Sequence, residues 1–329
     1  MMGSGSEKIY SLKKPSVFVL SLFTSFVLIF GLACIVTHNF YKKAIHEAIH
    51  SNETRANLLA KLILEHQRAA IGVLRAYARR PLLIESAKRK DFQGATGHLT
   101  DLVKSNPEIG WAFISNPDST VWVNFPADMQ AMNKDLSYRD WYKGVSREWK
   151  PYISSVYKMI VGEKDLAVAV CVPMFDEKGK VIGILGTAQS TTFFRKIISD
   201  IDSNLDANIT LIDQEEHIIY SNRFPDMKDI IAYPPVEFVR KAMKRERGDI
   251  ETQDASDRGR VKYVSFVPVE GIGWSVIVEK AKSDVLRSEL AFFLQTGIIS
   301  LLAFIVILLG LVYVRGKFRQ MAVLKTLNE

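Results

Sequence analysis

Two stretches without a single charged residue confine this chain to a membrane before any other property is weighed. The first runs from Val17 to Val36 and the second from Leu290 to Val314. About 20 helical residues at 1.5 Å each span roughly 30 Å, the thickness of a bilayer's hydrocarbon core. The second run has few polar members: Gln295, Thr296 and Ser300. A helix buried in a soluble core rarely goes so far without a polar face. A cleaved signal peptide is a poorer reading of the first run, because its apolar core would be shorter and would end in small residues. Gly31-Leu32-Ala33-Cys34 matches a lipoprotein cleavage box badly, and Met1-Met2-Gly3 is a weak myristoylation start.

The flanking cations orient the two spans. Lys8, Lys13 and Lys14 precede the first, and Arg315, Lys317 and Arg319 follow the second. Positive flanks stay in the cytoplasm, whereas long loops cross largely regardless of their charge. Both termini are therefore expected inside and Thr37 to Glu289 outside, in the periplasm of a protein of the inner membrane. The net charge of +7 is then partly topological, and a nucleic-acid partner is not expected.

Cys34 lies in the first span and Cys171 in the outer region, which argues against a disulfide. No zinc spacing, phosphate loop, Gly-x-Ser-x-Gly elbow or kinase signature is present, so neither cofactor nor catalysis is expected. The six histidines show no metal-ligand constellation; His46 and His50, four apart, read as incidental. Asp254 and Asp257 read as a loop and not as a calcium site.

A long helix is predicted from about Asn39 to Arg79. Along it Ile45, Ile49, Asn52, Ala56, Leu59, Ile63, His66, Ala70, Val73 and Tyr77 recur in alternating four- and three-residue steps. This stripe fits packing against the helix's own domain, a dimer seam in which Asn52 and His66 set the register, or both at different heights. Pro81 is read as the end of the helix. A shorter helix is expected near Phe92 to Lys104, then strands Trp111–Ile114 and Val121–Phe125 around the turn Asn116-Pro117-Asp118-Ser119. A short helix around Asp135 to Val145 leads to strands Tyr152–Lys158, Leu166–Met174 and Lys180–Ala188. The last two are joined through Asp176-Glu177-Lys178-Gly179. A smaller module repeats the order: a helix near Thr192–Asp200, strands Ile209–Ile212 and Ile218–Tyr220, a helix near Val236–Met243, and strands Asp249–Thr252, Val261–Val267 and Trp274–Glu279. Ser283 opens a final helix. The fold class is α+β, with antiparallel sheets.

Several short motifs in this order carry a resemblance. They are Tyr138-Arg139-Asp140-Trp141-Tyr142; Pro151-Tyr152-Ile153-Ser154 leading to Tyr157; Val172-Pro173-Met174-Phe175-Asp176 followed by Gly179 to Gly186; and Gly273-Trp274-Ser275-Val276. With them the chain resembles the double Cache family of extracytoplasmic sensor domains, from about Tyr41 to Val285 plus both spans. Such domains occur in histidine kinases, diguanylate cyclases and chemoreceptors. The resemblance implies two PAS-like modules on a long N-terminal helix, a small ligand in the membrane-distal module, and a signal passed through the second span. The expected plan is a cytoplasmic N-terminus (1–14), a transmembrane helix (15–37), a stalk helix (38–80), a distal module holding the ligand pocket (81–195), a proximal module (196–285), a second transmembrane helix (290–314) and a cytoplasmic stub (315–329).

Taken on their own, Arg139, Trp141 and Tyr142 present a guanidinium fork, an indole donor and a phenol at close spacing, a set able to grip a carboxylate. Equally, the two aromatics read as core residues and Arg139 as a surface cation. In the amino-acid-binding branch of the family this Arg, Trp and Tyr hold the ligand's carboxylate, and acidic residues hold its ammonium group. The resemblance puts those acids two residues after Tyr157, at Met159, and at the end of the Gly-Ile-Leu-Gly strand, at Ala188. An aromatic expected upstream falls on Lys134. A buried ammonium without a charged partner is costly, so the expected ligand is a carboxylate lacking an α-amino group, bound by Arg139, Trp141, Tyr142, Tyr157, Met159 and Ala188. Asp165 is the alternative amine partner. The segment 315–329 is too short for an output domain, which leaves a separate cytoplasmic signalling partner or the input end of a longer signalling protein. A structural or assembly protein with an empty pocket is the rival reading. A homodimer is expected from the stripe on the long helix.

Overall fold

The computed structural model describes residues 15–160, 165–201, 207–254 and 259–327. The expected cytoplasmic segment 1–14, with Met1-Met2-Gly3, Lys8, Lys13 and Lys14, lies outside the described residues, as do Asp257 and the side chain of Arg319. The chain divides into two compact units. One comprises the residues up to Glu47 together with those from Ser283 onward; the other is Ala48–Lys282.

The first unit consists of the beginning of helix α1 (Pro15–Ala78) and helix α7 (Lys282–Leu327). Both carry stretches long and apolar enough to cross a membrane. Leu28, Phe30, Ile298, Val306 and Leu309 all face outward, as suits a helix surrounded by lipid and not by water. Within this unit the Phe26 ring meets Phe304 edge-on, with centroids 5.2 Å apart.

The second unit holds two antiparallel sheets, in modules named distal and proximal after the expected plan. In the distal module, β1 (Trp111–Ser115), β2 (Val121–Phe125), β3 (Tyr152–Ile153), β4 (Tyr157–Lys158), β5 (Leu166–Phe175) and β6 (Val181–Ser190) form a sheet of order β2-β1-β6-β5-β3, with β4 also on β5. In the proximal module, β7 (Asn208–Ile212), β8 (Ile218–Ser221), β9 (Gly248–Asp254), β10 (Arg260–Val269) and β11 (Trp274–Ala281) take the order β8-β7-β11-β10-β9. The β5–β6 hairpin turns where Asp176 accepts from the amides of Lys178 and Lys180 and Gly179 adopts φ 77°, a region open to glycine at no steric cost.

Remaining helices are α2 (Pro81–Arg89), α3 (Phe92–Ser105), α4 (Asp140–Glu148), α5 (Thr191–Ile201) and α6 (Glu237–Met243). Helix α2 corrects the sequence reading, which had Pro81 as a terminator. Helix α1 stops at Ala78, and Pro81 sits in the first turn of the next helix, where its missing N–H is not needed. The expected strand Tyr152–Lys158 is likewise two short strands. The amides between them go elsewhere: Ser155 N–H donates to Asp140 and Val156 N–H to Asp213.

One core cluster runs along both sheets on the α1 side. It joins Ala56, Leu59, Ile63, Ala70, Leu74 and Tyr77 to distal residues such as Val170 and Leu185 and to proximal ones such as Leu211 and Trp274. From Ala56 to Tyr77 the α1 stripe therefore packs against its own domain. Asn52 and His66 meet partners in the same chain: Asn52 is fully buried and donates to the Tyr263 carbonyl at 3.3 Å, and the His66 ring lies on Phe193. Asn52, sealed inside its own chain, is therefore not a register-setting residue of a seam. The opposite sheet faces carry separate clusters, one under α4 and one under α6.

Candidate ligand-binding site

Strand alternation places Trp111 and Phe113 on the face of the distal sheet that α4 covers. Gly186 makes room for the Phe113 ring, since a Cβ there would fall 2.3 Å from it. On α4, the side chain of Asp140 points toward the β3–β4 connection. It accepts from Tyr152 Oη at 3.1 Å, from Ser155 N at 2.7 Å and from Ser155 Oγ at 3.2 Å. Tyr152 reaches it because its ring lies against Gly144, one helical turn along, where a Cβ would come within 2.3 Å. Burial, followed by the nearby Asp140 carboxylate, pushes the Tyr152 phenol up to about 12.

Anchored in this way, α4 and β4 enclose a cavity lined by Trp111, Phe113, Leu136, Arg139, Trp141, Tyr157, Met159 and Ile160. Its volume is about 20 Å³, room for a single water, so admitting a larger molecule requires the walls to part. Four of the lining residues are aromatic, and three are in ring contact: Trp111 stacks on Phe113 at 5.1 Å, and Phe113 meets Trp141 at 4.9 Å. The Arg139 guanidinium lies between the Tyr138 and Tyr157 rings, 5.2 and 5.0 Å from their centroids, and makes a long bond of 3.3 Å to the Lys158 carbonyl. Burial pushes the Tyr157 phenol up and keeps it protonated. Burial likewise pushes up the thiol of Cys171, which stands on β5 in the same cluster.

The sequence-selected residues divide here. Arg139, Trp141, Tyr157 and Met159 surround the cavity. Tyr142 does not line it, since its hydroxyl donates to the Pro117 carbonyl at 2.9 Å. Ala188 is buried on β6, paired with Trp111, one layer outside the lining. Asp165, the alternative amine partner, faces Lys228 at 3.3 Å. Trp111, Phe113, Leu136 and Ile160 are additions; the alternation of Trp111 and Phe113 was the available signal for two of them. Among the described residues no acid lines the cavity.

A sequence model of the Cache domain, of the double-Cache type, matches residues 37–288, and the chain belongs to that family of sensor domains. Solved structures share the fold at low identity. The periplasmic sensory domain of the Campylobacter jejuni chemoreceptor Tlp1 matches with TM-score 0.57 and 15% identity, over 74% of this chain and 98% of that one. The ligand-binding domain of the Pseudomonas aeruginosa PAO1 amino acid chemoreceptor PctB, in complex with L-Gln, matches with TM-score 0.55 and 17% identity, over 71% and 91%. An extracellular ligand-binding receptor from Desulfohalobium retbaense matches with TM-score 0.52 and 16% identity over 69% of this chain, which spans only 40% of that receptor. A search of curated proteins returns no match.

Proposed function

We propose that the distal module binds a small carboxylate without an α-amino group and that the chain relays this binding across the inner membrane through α7. The observation that carries the reading is an imbalance: a guanidinium stands at an aromatic cavity lined by no acid among the described residues. A guanidinium fork matches a carboxylate in two parallel hydrogen bonds. An ammonium group brought into the same place would be desolvated without a charge to meet it. Releasing the long bond to the Lys158 carbonyl frees Arg139 for the ligand. Both termini lie in the cytoplasm on this reading. The module boundaries follow the sequence plan, 81–195 and 196–285, and a cytoplasmic signalling partner is the proposed recipient of the signal. A homodimer is the working oligomeric state, now without Asn52 as a determinant.

Titration calorimetry on the full chain in nanodiscs tests the ligand class. Acetate, propionate and pyruvate are compared with alanine, glutamine and arginine. Heat from a monocarboxylate and none from the amino acids is expected. Tight binding of ordinary amino acids with no response to simple carboxylates overturns the reading.

A further inference from the structure

The clamp helix α4 is held in place by a side chain from the other module. Gln214 stands in the turn between β7 and β8, in the proximal module. Its Nε2 donates to Asp140 Oδ2 at 3.1 Å and to Tyr152 Oη at 3.2 Å, while its Oε1 accepts from Trp274 Nε1 at 3.0 Å. An indole can only donate and a carboxylate only accept, so the amide has one orientation that satisfies both neighbours. Gly273, at φ 81°, packs against the Gln214 Cβ; an added Cβ there would lie 3.1 Å from it. The neighbouring Asp213 is fully buried and accepts from Val156 N at 2.7 Å, one residue before the cavity wall begins at Tyr157. Two ion pairs hold the same wall from the proximal side, Lys158 with Asp229 at 2.7 Å and Lys228 with Asp165 at 3.3 Å.

We propose that Gln214 is a positioning residue of the distal ligand site, setting Asp140 and hence Arg139 and Trp141 on either side of it, and reporting their movement to Trp274. Trp274 opens β11, and β11 ends one residue before α7 begins. A ligand that closes α4 pulls Asp140, and Gln214 transmits the displacement into the core of the proximal module. Coupling of this kind is reciprocal: loosening Gln214 must weaken ligand binding by the same factor with which ligand tightens Gln214. The relay rests on the reading of the cavity as a ligand site, but the contact that underlies it can be tested without ligand.

The test uses the full chain in nanodiscs with 5-fluorotryptophan at every Trp, the Trp141 and Trp274 signals being assigned by Trp→Phe variants, and propionate as the probe. In the unsubstituted protein both signals are expected to shift along one binding curve. In Gln214→Met, similar in volume but without the amide, Trp141 still shifts, Trp274 no longer follows, and the propionate Kd rises about tenfold, within the usual range of coupling between sites. Gln214→Glu sets a carboxylate against Asp140 and is expected to weaken binding more than Gln214→Met does; a merely space-filling role would order the two the other way. A Trp274 signal that stays still while Trp141 shifts in the unsubstituted protein overturns the proposal. So does a Trp274 that follows Trp141 in Gln214→Met at unchanged affinity. If propionate moves neither signal, the carboxylate reading fails, and the ligand-free spectra decide the relay. A Trp141 signal displaced in Gln214→Met supports it, and one identical to the unsubstituted protein overturns it.

Discussion

The two modules share a strand order and differ in what fills the same corner. In the distal sheet Ala188 on β6 pairs with Trp111 at the start of β1. In the proximal sheet Glu279 on β11 pairs with Asn208 at the start of β7, the matching place in a matching topology. Glu279 is 2% exposed and fully engaged: it receives Lys262, the Tyr233 hydroxyl at 3.0 Å, and Arg223 at 3.9 Å. The proximal module carries its acid together with cations of its own, so this carboxylate is met from within the module. The distal module has a guanidinium beside aromatic rings and a methyl group where the other has a carboxylate. One fold can thus close a corner with an internal ion cluster or, on the proposed reading, leave a guanidinium to meet a ligand.

Removing Glu279 should break the comparison hardest. In Glu279→Ala, Lys262, only 14% exposed, loses the Glu279 carboxylate, and breaking a buried pair from one side costs about 3 kcal/mol. Urea unfolding of the full chain should show this loss as a lower midpoint, while carboxylate binding at the distal site persists in the protein that remains folded. A midpoint unchanged within error would mean that the cluster does not hold the module together.

Arg139→Ala should separate the modules the other way. Among the described residues the guanidinium makes one long hydrogen bond and lies over two tyrosine rings at 5.0 and 5.2 Å, weak ties whose loss should move the unfolding midpoint little. Carboxylate affinity should fall about a hundredfold, in line with the loss of a charge-assisted pair to ligand. Calorimetry beside urea unfolding checks both halves; a large stability loss with intact binding would make Arg139 a structural residue. Next in size is Gly144→Ala. Its new Cβ meets the Tyr152 ring, and overpacking of this kind costs about 2 kcal/mol. Because Tyr152 and Asp140 move with it, carboxylate binding should weaken as well, which thermal melting with and without propionate would show.

Much of the fold is legible in local sequence, because strand alternation and turn chemistry are local. Asp176 to Gly179 announces the β5–β6 hairpin, and Asn116 to Ser119 the β1–β2 turn. Pro81 misled because a proline reads alike as the end of one helix and the first turn of the next. The break between β3 and β4 was hidden because the acceptors that draw its amides away, Asp140 and Asp213, stand 15 and 57 residues from them along the chain. The same distinction runs through the site. Arg139, Trp141, Tyr157 and Met159 carry motif spacing and do surround one cavity. Tyr142 shares that spacing, yet its hydroxyl found the Pro117 carbonyl. The tie from Gln214 to Asp140 depends on how two modules meet, which no local pattern encodes. The α1 stripe was visible as a stripe, but periodicity alone does not say what covers it.

The smallest expected effect falls on the join between the modules. Asp213 uses both carboxylate oxygens: Oδ1 accepts from the amides of Glu215 and His217 in its own turn, and Oδ2 accepts from Val156 in the distal module. Asp213→Asn can keep the turn through its remaining oxygen, but its NH₂ then faces the Val156 amide. A loss of about 1 kcal/mol is expected, with faster hydrogen exchange at Val156 and Tyr157. The pH dependence gives the sign. Burial pushes the Asp213 carboxyl up, opposed by its three backbone donors and by His217. A native carboxyl with a raised value holds its proton where the unfolded chain has released it. Its contribution is therefore fully present below the ordinary carboxylate range and declines as pH rises from there through the raised value. The stability difference between the unsubstituted protein and Asp213→Asn should shrink across that interval and level off above it. A difference that grew with pH would mean that the three backbone donors outweigh burial, and that the join is held by an ordinary ionised carboxylate.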